Sequence, residues 1–207
     1  PVLLEMAPDI MATKADVTML DTQSDYAQMD PTPDPELIEK AAALLGSASN
    51  PAIIIGGGIW GAEESLMALA EELQAPVYTS PHGHGAIDSR HYLAQNLMCA
   101  KEIWDSIDVV LSVGTRYQAP ATWGKAEEKK LIRVDIDPKQ SMNICEPEVH
   151  IVSTASASLA ALFDRVQLHN RKRESRSEEY EILKTTVMDR FNSVEPQFSY
   201  NNVIREE

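Results

Sequence analysis

The sequence is poor in cysteine, in basic residues and in long apolar runs, and each shortage excludes a class of protein. Its 207 residues include two cysteines, Cys99 and Cys145, which are isolated and have no partner at metal-ligand spacing. We expect reduced structural thiols rather than a disulfide or a metal site. No stretch reaches the roughly 18 apolar residues of a membrane span, and the first residues do not follow a signal-sequence pattern. We therefore expect a cytoplasmic protein with no membrane partner.

Basic residues are also few in comparison with acidic ones. Asp and Glu number 32 against 18 Lys and Arg, which gives a net charge of -14. Contacts with phosphate groups need clustered Lys and Arg, so nucleic acid is excluded as a partner. The hydrophobic content of 43% is ordinary for a globular domain with one good core. The chain starts at Pro1 without an initiator Met and stops at Glu207 without a helix stop signal, so we expect a piece of a longer polypeptide.

What the sequence does contain is a strand, turn and helix pattern around which the rest is organised. Residues 51–55 form a short apolar run rich in β-branched side chains, residues 56–58 are three glycines, and residues 62–73 have helical periodicity. Together these segments predict the first half of a βαβ unit. Glycines at the turn allow the backbone to approach a neighbouring chain or a ligand closely.

The spacing of the glycines from Gly56 to Gly61 matches G-x-G-x-x-G, the dinucleotide-binding fingerprint. Two features oppose a nicotinamide site. The end of the second strand, at residues 77–80, has no acidic residue for the ribose, and Glu63 and Glu64 would compete with a phosphate for the amides of the helix. We therefore interpret the glycine turn primarily as a structural feature rather than as a nicotinamide-binding site.

Further apolar runs alternate with helical segments along the rest of the chain. Asp34 as N-cap and Pro35 at the first helical position predict a helix before the glycine turn. Strands are predicted at residues 77–79, 108–114, 131–138 and 148–152, and helices at residues 102–107, 156–168 and 178–192. Parallel strands need crossover connections, so this alternation predicts an α/β fold with a doubly wound, mainly parallel sheet flanked by helices.

Several of these segments occur in an order typical of one family. The first segment, residues 1–11, is similar to the pattern Pro-Val-x-Leu-Glu-x-Pro-x-Asp. The other segments are residues 51–58, 83–87, 114–117, 134–138 and 196–207. With them, the chain resembles the middle portion of thiamine-diphosphate-dependent enzymes of the acetolactate synthase, benzoylformate decarboxylase and oxalyl-CoA decarboxylase type. The resemblance implies a Rossmann-like domain of the DHS-like NAD/FAD-binding type.

The resemblance also implies domain boundaries in this chain and assigns catalysis to the flanking domains. Residues 1–33 are expected to be the end of a preceding domain and a linker arm, 34–169 the central α/β domain, and 170–207 a charged segment, a helix and the entry to a following domain. In this family the glutamate that activates the cofactor and the Gly-Asp-Gly…Asn-Asn motif for magnesium and diphosphate lie in the flanking domains. Asn201 and Asn202 have no preceding Gly-Asp-Gly.

The resemblance thus implies a central domain that is non-catalytic alone, within a lyase or transferase for 2-keto acids or acyl-CoA. The parent enzyme would use thiamine diphosphate and magnesium. Its partners would be neighbouring catalytic domains of the same chain, in a homo-oligomer. We expect no cofactor in this segment.

The alternative is a module that binds an adenine nucleotide, FAD or ADP, in the same or in a free-standing protein, because some central domains of this family carry one. The candidate residues lie where the strand order would reverse; they are Gly56, Gly57, Gly58, Gly114, Thr115, Arg116, Asp135 and Ile136. The sequence departs from the flavin pattern at residues 118–120, which replace Asp-Asp-Arg, and at Ser153-Thr154, which replace Gly-Asp.

Other polar groups have plainer interpretations. His82, His84 and His91 have no identifiable fourth ligand, so we expect a polar loop rather than a zinc site. Asp135 and Asp137 are expected to cap a turn rather than to form an acid–base pair. Of the three tryptophans, Trp123 is expected to be the most exposed. Gly57 is expected to pack against the loop that follows the strand at Val109, so that Gly57→Val would lower stability.

Overall fold

The computed structural model describes residues 3, 5–16, 18, 30–142 and 144–193. The helices are α1 (Pro8–Met11), α2 (Pro35–Ser47), α3 (Glu63–Leu73), α4 (Leu97–Glu102), α5 (Gln118–Ala121), α6 (Ala155–His169) and α7 (Ser177–Ser193). The strands are β1 (Pro51–Ile55), β2 (Val77–Thr79), β3 (Ala94–Asn96), β4 (Val109–Val113), β5 (Lys130–Asp135) and β6 (Val149–Val152). Much of the expected linker arm, at residues 19–29, and the expected entry to a following domain, from residue 194, fall outside the described residues.

The six strands form one sheet in the order β3-β2-β1-β4-β5-β6. Every neighbouring pair is parallel. The chain moves outward from β1 to β3 on one side and then returns to β4 on the other, so the strand order reverses between β1 and β4. This is the order of a doubly wound dinucleotide-binding sheet, and it confirms the predicted fold class.

Helices cover both faces of the sheet, which explains why the strands are almost continuously apolar. Alternate residues of β1 point to opposite faces: Ile53 and Ile55 pack with α2, α3 and α6, whereas Ala52 and Ile54 pack with α4 and α7. All five residues of β1 and of β4 are buried. In the described part of the chain, no helix is long and apolar enough to cross a membrane.

Side-chain caps fix the starts of two helices, α2, where the sequence predicted the cap, and α6, where it did not. Asp34 Oδ1 accepts a hydrogen bond from the Glu36 N–H at 2.9 Å, with Pro35 in the first turn of α2. Thr154 Oγ1 accepts from the Ala157 N–H at 3.3 Å and caps α6. Each side-chain acceptor satisfies an amide that has no partner within its helix.

Arg173 joins the carboxyl ends of two helices. Its guanidinium donates to backbone carbonyl oxygens at the end of α2, those of Leu45, Gly46 and Ala48, and to that of Leu73 at the end of α3. A cation at these positions also faces the negative ends of both helix dipoles. The segment between α6 and α7 is therefore fastened to the domain, although its sequence is strongly charged.

The structure differs from the predictions on the side of the sheet near β3. That edge strand was not predicted, and it leads directly into α4, where Asn96 Oδ1 caps by accepting from the Cys99 N–H at 2.9 Å. The helix predicted at residues 102–107 is a 3-10 turn at Trp104–Ser106, which follows the end of α4. In α7, Tyr180 and Val187 are buried as expected of an apolar stripe.

The exposure predicted for the tryptophans was wrong, and two large apolar residues of α7 are not buried. Met188 and Phe191 are 40% and 54% exposed. Trp60, at 57%, is strongly exposed, whereas Trp123 is only partly exposed because its ring meets that of Trp104 edge to face at 5.2 Å between centroids. The contact between Trp123 and Trp104 could not be predicted, because the packing of one aromatic ring against another leaves no periodic pattern in the sequence.

Candidate functional site at the reversal of strand order

Two loops cross where the strand order reverses, beyond the carboxyl ends of β1 and β4. The Gly56 N–H donates to the Val113 carbonyl at 3.0 Å, and the Gly58 N–H donates to the Gly114 carbonyl at 3.1 Å. A Cβ on Gly58 would lie 2.7 Å from Gly114 Cα, and one on Gly114, where φ is +54°, would lie 2.4 Å from Gly58 Cα. Only glycine permits this approach of backbone to backbone, which we call the glycine crossing.

The packing role predicted for Gly57 is wrong and belongs to its neighbours. A Cβ on Gly57 would meet His82 Cβ at 3.4 Å, an ordinary contact, and would not touch the loop after β4. A Cβ on Gly56 would instead lie 2.3 Å from the Gly114 carbonyl oxygen. The reason is rotation of the backbone in the turn, which directs the middle glycine outward to solvent.

Most amides that could hold an anion at this turn already have partners. The amides of Gly56 and Gly58 are used in the glycine crossing, and the Gly61 N–H donates to Glu63 Oε1 at 3.1 Å. Backbone amides, chiefly that of Glu63 itself and then that of Gly61, hold the pKa of the Glu63 carboxyl below its usual range. The side chain of Glu63 therefore competes for the position that a phosphate would take at the start of α3.

Two cavities, each of about 560 Å³, lie on opposite sides of the glycine crossing. The first is lined by the ends of β5 and β6 together with Trp60, and the second by the loop after β2 together with Tyr117. All eight predicted residues line one or both: Gly56 and Gly57 line the second cavity, Gly58, Asp135 and Ile136 the first, and Gly114, Thr115 and Arg116 both.

Arg116 is the cation between the two cavities. Its side chain is exposed and makes no hydrogen bond or ion pair with any residue that the structure describes. The neighbouring Thr115 Oγ1 accepts from the Tyr117 N–H at 3.4 Å, which orients the loop after β4. Among the predicted residues, the side chains of Thr115 and Asp135 each accept one hydrogen bond, whereas that of Arg116 makes none with a described residue.

Asp135 and Asp137 cap the turn after β5, as the sequence predicted. Asp135 Oδ1 accepts from the Asp137 N–H at 3.0 Å, and Asp137 Oδ1 accepts from the Lys139 N–H at 2.9 Å. The bond from Lys139 and a second one from the Gln140 amide keep the pKa of the Asp137 carboxyl below its usual range. These contacts explain the Asp-x-Asp-Pro sequence without a catalytic role.

The histidines of the loop after β2 have separate neighbours. His84 Nδ1 lies 3.3 Å from Thr79 Oγ1, and His91 Nε2 lies 3.3 Å from Glu71 Oε1. Across the described residues, no group of three or more His, Cys, Asp or Glu side chains is placed to hold a metal ion.

One buried charge was not anticipated. Arg133, in the middle of β5, is completely buried, and burial lowers the pKa of its guanidinium. Its Nη1 donates to the Gln140 carbonyl, and its guanidinium carbon lies 6.0 Å from the centre of the Tyr117 ring. A signal was present in the sequence, since an arginine interrupts an otherwise apolar run at residues 131–134.

The structure is a doubly wound α/β domain. The two loops at the reversal of strand order, which follow β1 and β4, are joined by main-chain hydrogen bonds. The family model of the thiamine pyrophosphate enzyme central domain matches residues 38–162. The chain belongs to this family. The matched residues include β1 to β6 and therefore the whole sheet.

Comparisons with individual proteins agree with this assignment. The chain is 36% identical over 140 residues to "Probable 2-ketoarginine decarboxylase" of Pseudomonas aeruginosa, a match that covers 65% of this chain and 25% of that protein. It is 29% identical over 197 residues to the acetolactate synthase large subunit of Corynebacterium glutamicum, covering 89% of this chain and 31% of the relative. The chain thus spans between a quarter and a third of the length of these relatives.

A solved structure has the same fold. Benzoylformate decarboxylase from Polynucleobacter necessarius superposes with a TM-score of 0.59 at 19% identity, over 79% of this chain and 32% of that one. At this level of identity the similarity concerns the fold alone.

Proposed function

We propose that this chain is the non-catalytic central domain of a larger thiamine-diphosphate-dependent enzyme, a lyase or transferase that acts on 2-keto acids or acyl-CoA. In this proposal residues 34–169 separate and join two catalytic domains, with residues 1–33 and 170–207 as the connections to them. The single observation that carries it is the match of the family model to residues 38–162, which begins and ends within the proposed domain.

The described residues do not fit thiamine diphosphate or its magnesium ion. Magnesium bound to a diphosphate needs carboxylate and amide oxygens that converge on one point. Asp135 and Asp137 instead accept bonds from the turn after β5, and no ligand cluster occurs among the described residues. In the proposed enzyme the cofactor and the magnesium ion are therefore held by the flanking domains, and the parent forms a homo-oligomer.

Turnover by the isolated chain tests this proposal. The purified 207-residue chain is supplied with thiamine diphosphate, magnesium and pyruvate or benzoylformate, and product formation is followed. We expect no turnover and no heat of thiamine diphosphate binding in calorimetry.

The genomic reading frame around the chain is the second measurement. We expect a preceding domain with a catalytic glutamate and a following domain with Gly-Asp-Gly…Asn-Asn; turnover by the chain alone, or a frame without these domains, would contradict the proposal.

Adenine-nucleotide binding at the glycine crossing is a second candidate function, favoured by the unpaired Arg116 side chain between the two cavities. The forked donors of a guanidinium suit a phosphate group. The opposing observation is that Gly56 and Gly58 use their amides within the crossing. A nucleotide would then depend on Arg116 and on the rim, at Asp135 and Ile136, rather than on the glycine turn.

Calorimetry with ADP and with FAD tests this candidate. We expect Arg116→Ala to weaken nucleotide binding about tenfold to a hundredfold, because a charged hydrogen bond contributes about 1.5–3 kcal/mol. Arg165→Ala is the matched control, since Arg165 lies on the exposed surface of α6, remote from both cavities. Equal affinity of the wild type and Arg116→Ala would remove Arg116 from the site, and no binding by either would remove the candidate.

A further inference from the structure

Three neighbouring strands each place one polar side chain at the same level of the sheet. The register pairs Ser112 of β4 with Arg133 of β5, and Arg133 with His150 of β6. Residues paired in parallel strands point to the same face, and adjacent strands are about 4.8 Å apart. The three side chains therefore form a row across the sheet, on the face covered by α4 and α7. We call Ser112, Arg133, His150 and the adjacent Tyr117 the polar row.

The polar row contains five buried polar atoms that have no hydrogen-bond partner among the described residues. They are Ser112 Oγ, Tyr117 Oη, Arg133 Nε, Arg133 Nη2 and His150 Nε2. Native proteins leave few buried polar groups unpaired, because each one costs its desolvation free energy. Because the five atoms lie close together on one face of the sheet, a single missing hydrogen-bond partner explains them better than five unrelated unpaired groups.

The unpaired atoms of Arg133 form one edge of the guanidinium. Nη1 is engaged by the Gln140 carbonyl, which leaves Nε and Nη2, the two parallel donors that match the oxygens of a carboxylate or phosphate. Ser112 and Tyr117 each add a hydroxyl that can donate, and His150 Nε2 can donate in one of its two tautomers. The row therefore offers donors for an anion, with a full positive charge at its centre.

No described carboxylate forms an ion pair with Arg133. The charge of Asp135 acts on Arg133 electrostatically, but Asp135 makes no ion pair with it, and its Oδ1 accepts from the Asp137 N–H. A buried guanidinium is costly unless its donors are paired, and a bidentate oxyanion pairs two of them at once. The free edge of the Arg133 guanidinium thus has no directly bound counter-ion among the described residues.

We propose that the polar row binds a small oxyanion, a carboxylate or phosphate group, inside the domain. The row lies next to both cavities, since its member Tyr117 lines the second and Gln140, whose carbonyl accepts from Arg133, lines the first. The oxyanion lies against Arg133 Nε and Nη2 and receives further bonds from the hydroxyls of Ser112 and Tyr117. This site is separate from the glycine turn, and the proposal does not depend on a nucleotide there.

Thermal unfolding of the full chain in matched salts tests the proposal. Sodium phosphate, sodium acetate and sodium chloride are compared at equal ionic strength and neutral pH. We expect phosphate, acetate or both to raise the unfolding midpoint above that in chloride, since a ligand of the folded state alone stabilises it. A rise with acetate only, where it depends on Arg133, identifies a carboxylate group as the ligand, and such a rise with phosphate only identifies a phosphate group. Equal midpoints in all three salts would overturn the proposal.

Variants assign the effect to the polar row. Phosphate also stabilises folded proteins without binding, because it is excluded from their surface, so the two variants are compared. In Arg133→Met the rise should be smaller than in the wild type, while stability in chloride should equal or exceed that of the wild type, because an unpaired buried charge has been replaced by an apolar chain of similar size. Arg165→Met, on the exposed surface of α6, is the control and should keep the full rise. An anion effect as large in Arg133→Met as in Arg165→Met would overturn the assignment.

Tyr117→Phe keeps the proposal testable if Arg133→Met does not fold. This change removes one hydroxyl and keeps the ring that packs near Arg133. We expect calorimetric affinity for the effective anion to fall about fivefold, as for loss of one hydrogen bond. Unchanged affinity would contradict an anion that is bound by the polar row.

Discussion

The glycine crossing makes a quantitative prediction for Gly114→Ala. The new Cβ would lie 2.4 Å from Gly58 Cα, and the residue would keep a φ of +54°. The left-handed conformation costs about 1–2 kcal/mol for alanine. Forcing the loops apart costs about 1–3 kcal/mol as overpacking. Loss of the bond from the Gly58 N–H to the Gly114 carbonyl adds about 1 kcal/mol. We therefore expect the free energy of unfolding to fall by about 3–6 kcal/mol.

Gly124 supplies the matched control for that substitution. Its φ is +80°, but nothing lies within 4 Å of the position of a Cβ. Gly124→Ala therefore carries only the conformational cost, about 1–2 kcal/mol. The difference between the two variants measures the contact between the loops.

Urea unfolding followed by far-UV circular dichroism gives both free energies, and thermal unfolding gives a second measurement. Since each kcal/mol shifts the midpoint of a domain of this size by about 2–4 °C, Gly114→Ala should unfold about 10 °C lower than the wild type. If Gly114→Ala costs no more than Gly124→Ala, the two loops do not depend on the absence of a side chain and the reasoning fails.

Three further outcomes are expected from other parts of the domain. Arg173→Ala should lower the free energy of unfolding by about 2–3 kcal/mol, because four backbone carbonyls lose a charged donor, whereas Arg171→Ala, at an exposed neighbour, should cost less than about 0.5 kcal/mol in urea unfolding. Asp34→Ala should cost about 1 kcal/mol in the same assay through loss of the cap of α2. Burial and then the Arg133 charge lower the pKa of the His150 imidazole from its ordinary 6.5. Because the unfolded chain then binds the proton more readily, stability should be full above pH 6.5 and fall as pH drops below it, and His150→Gln should lose this part of the pH dependence.

Much of the fold was predictable because its signals are local. Asp34 and Pro35 mark the start of α2, and the apolar runs at β1 and β4 mark strands that are buried on both faces. The edge strand β3 was missed because it has three residues, Ala94–Asn96, without periodicity, and its pairing with β2 is a non-local contact. Its position was decided by the tertiary structure rather than by its own composition.

The candidate site was predictable in part for the same reason. The eight predicted residues line the two cavities because loops at the carboxyl ends of neighbouring parallel strands must meet at one edge. The direction of Gly57 depends on backbone angles that no residue type reveals. Arg133 was missed because a single arginine in a strand is usually at an exposed position, and its neighbours Ser112 and His150 become apparent only once the register between strands is known.

The glycine crossing leaves the surrounding side chains free to change. Its two hydrogen bonds join main-chain atoms, so no side chain takes part in holding the loops together. Substitutions at Trp60, Arg116 or Ile136, which lie on the rim of the cavities, therefore alter what the edge of the sheet presents without altering the spacing of β1 and β4. The same backbone framework can therefore present different side chains to the segments that precede and follow this domain.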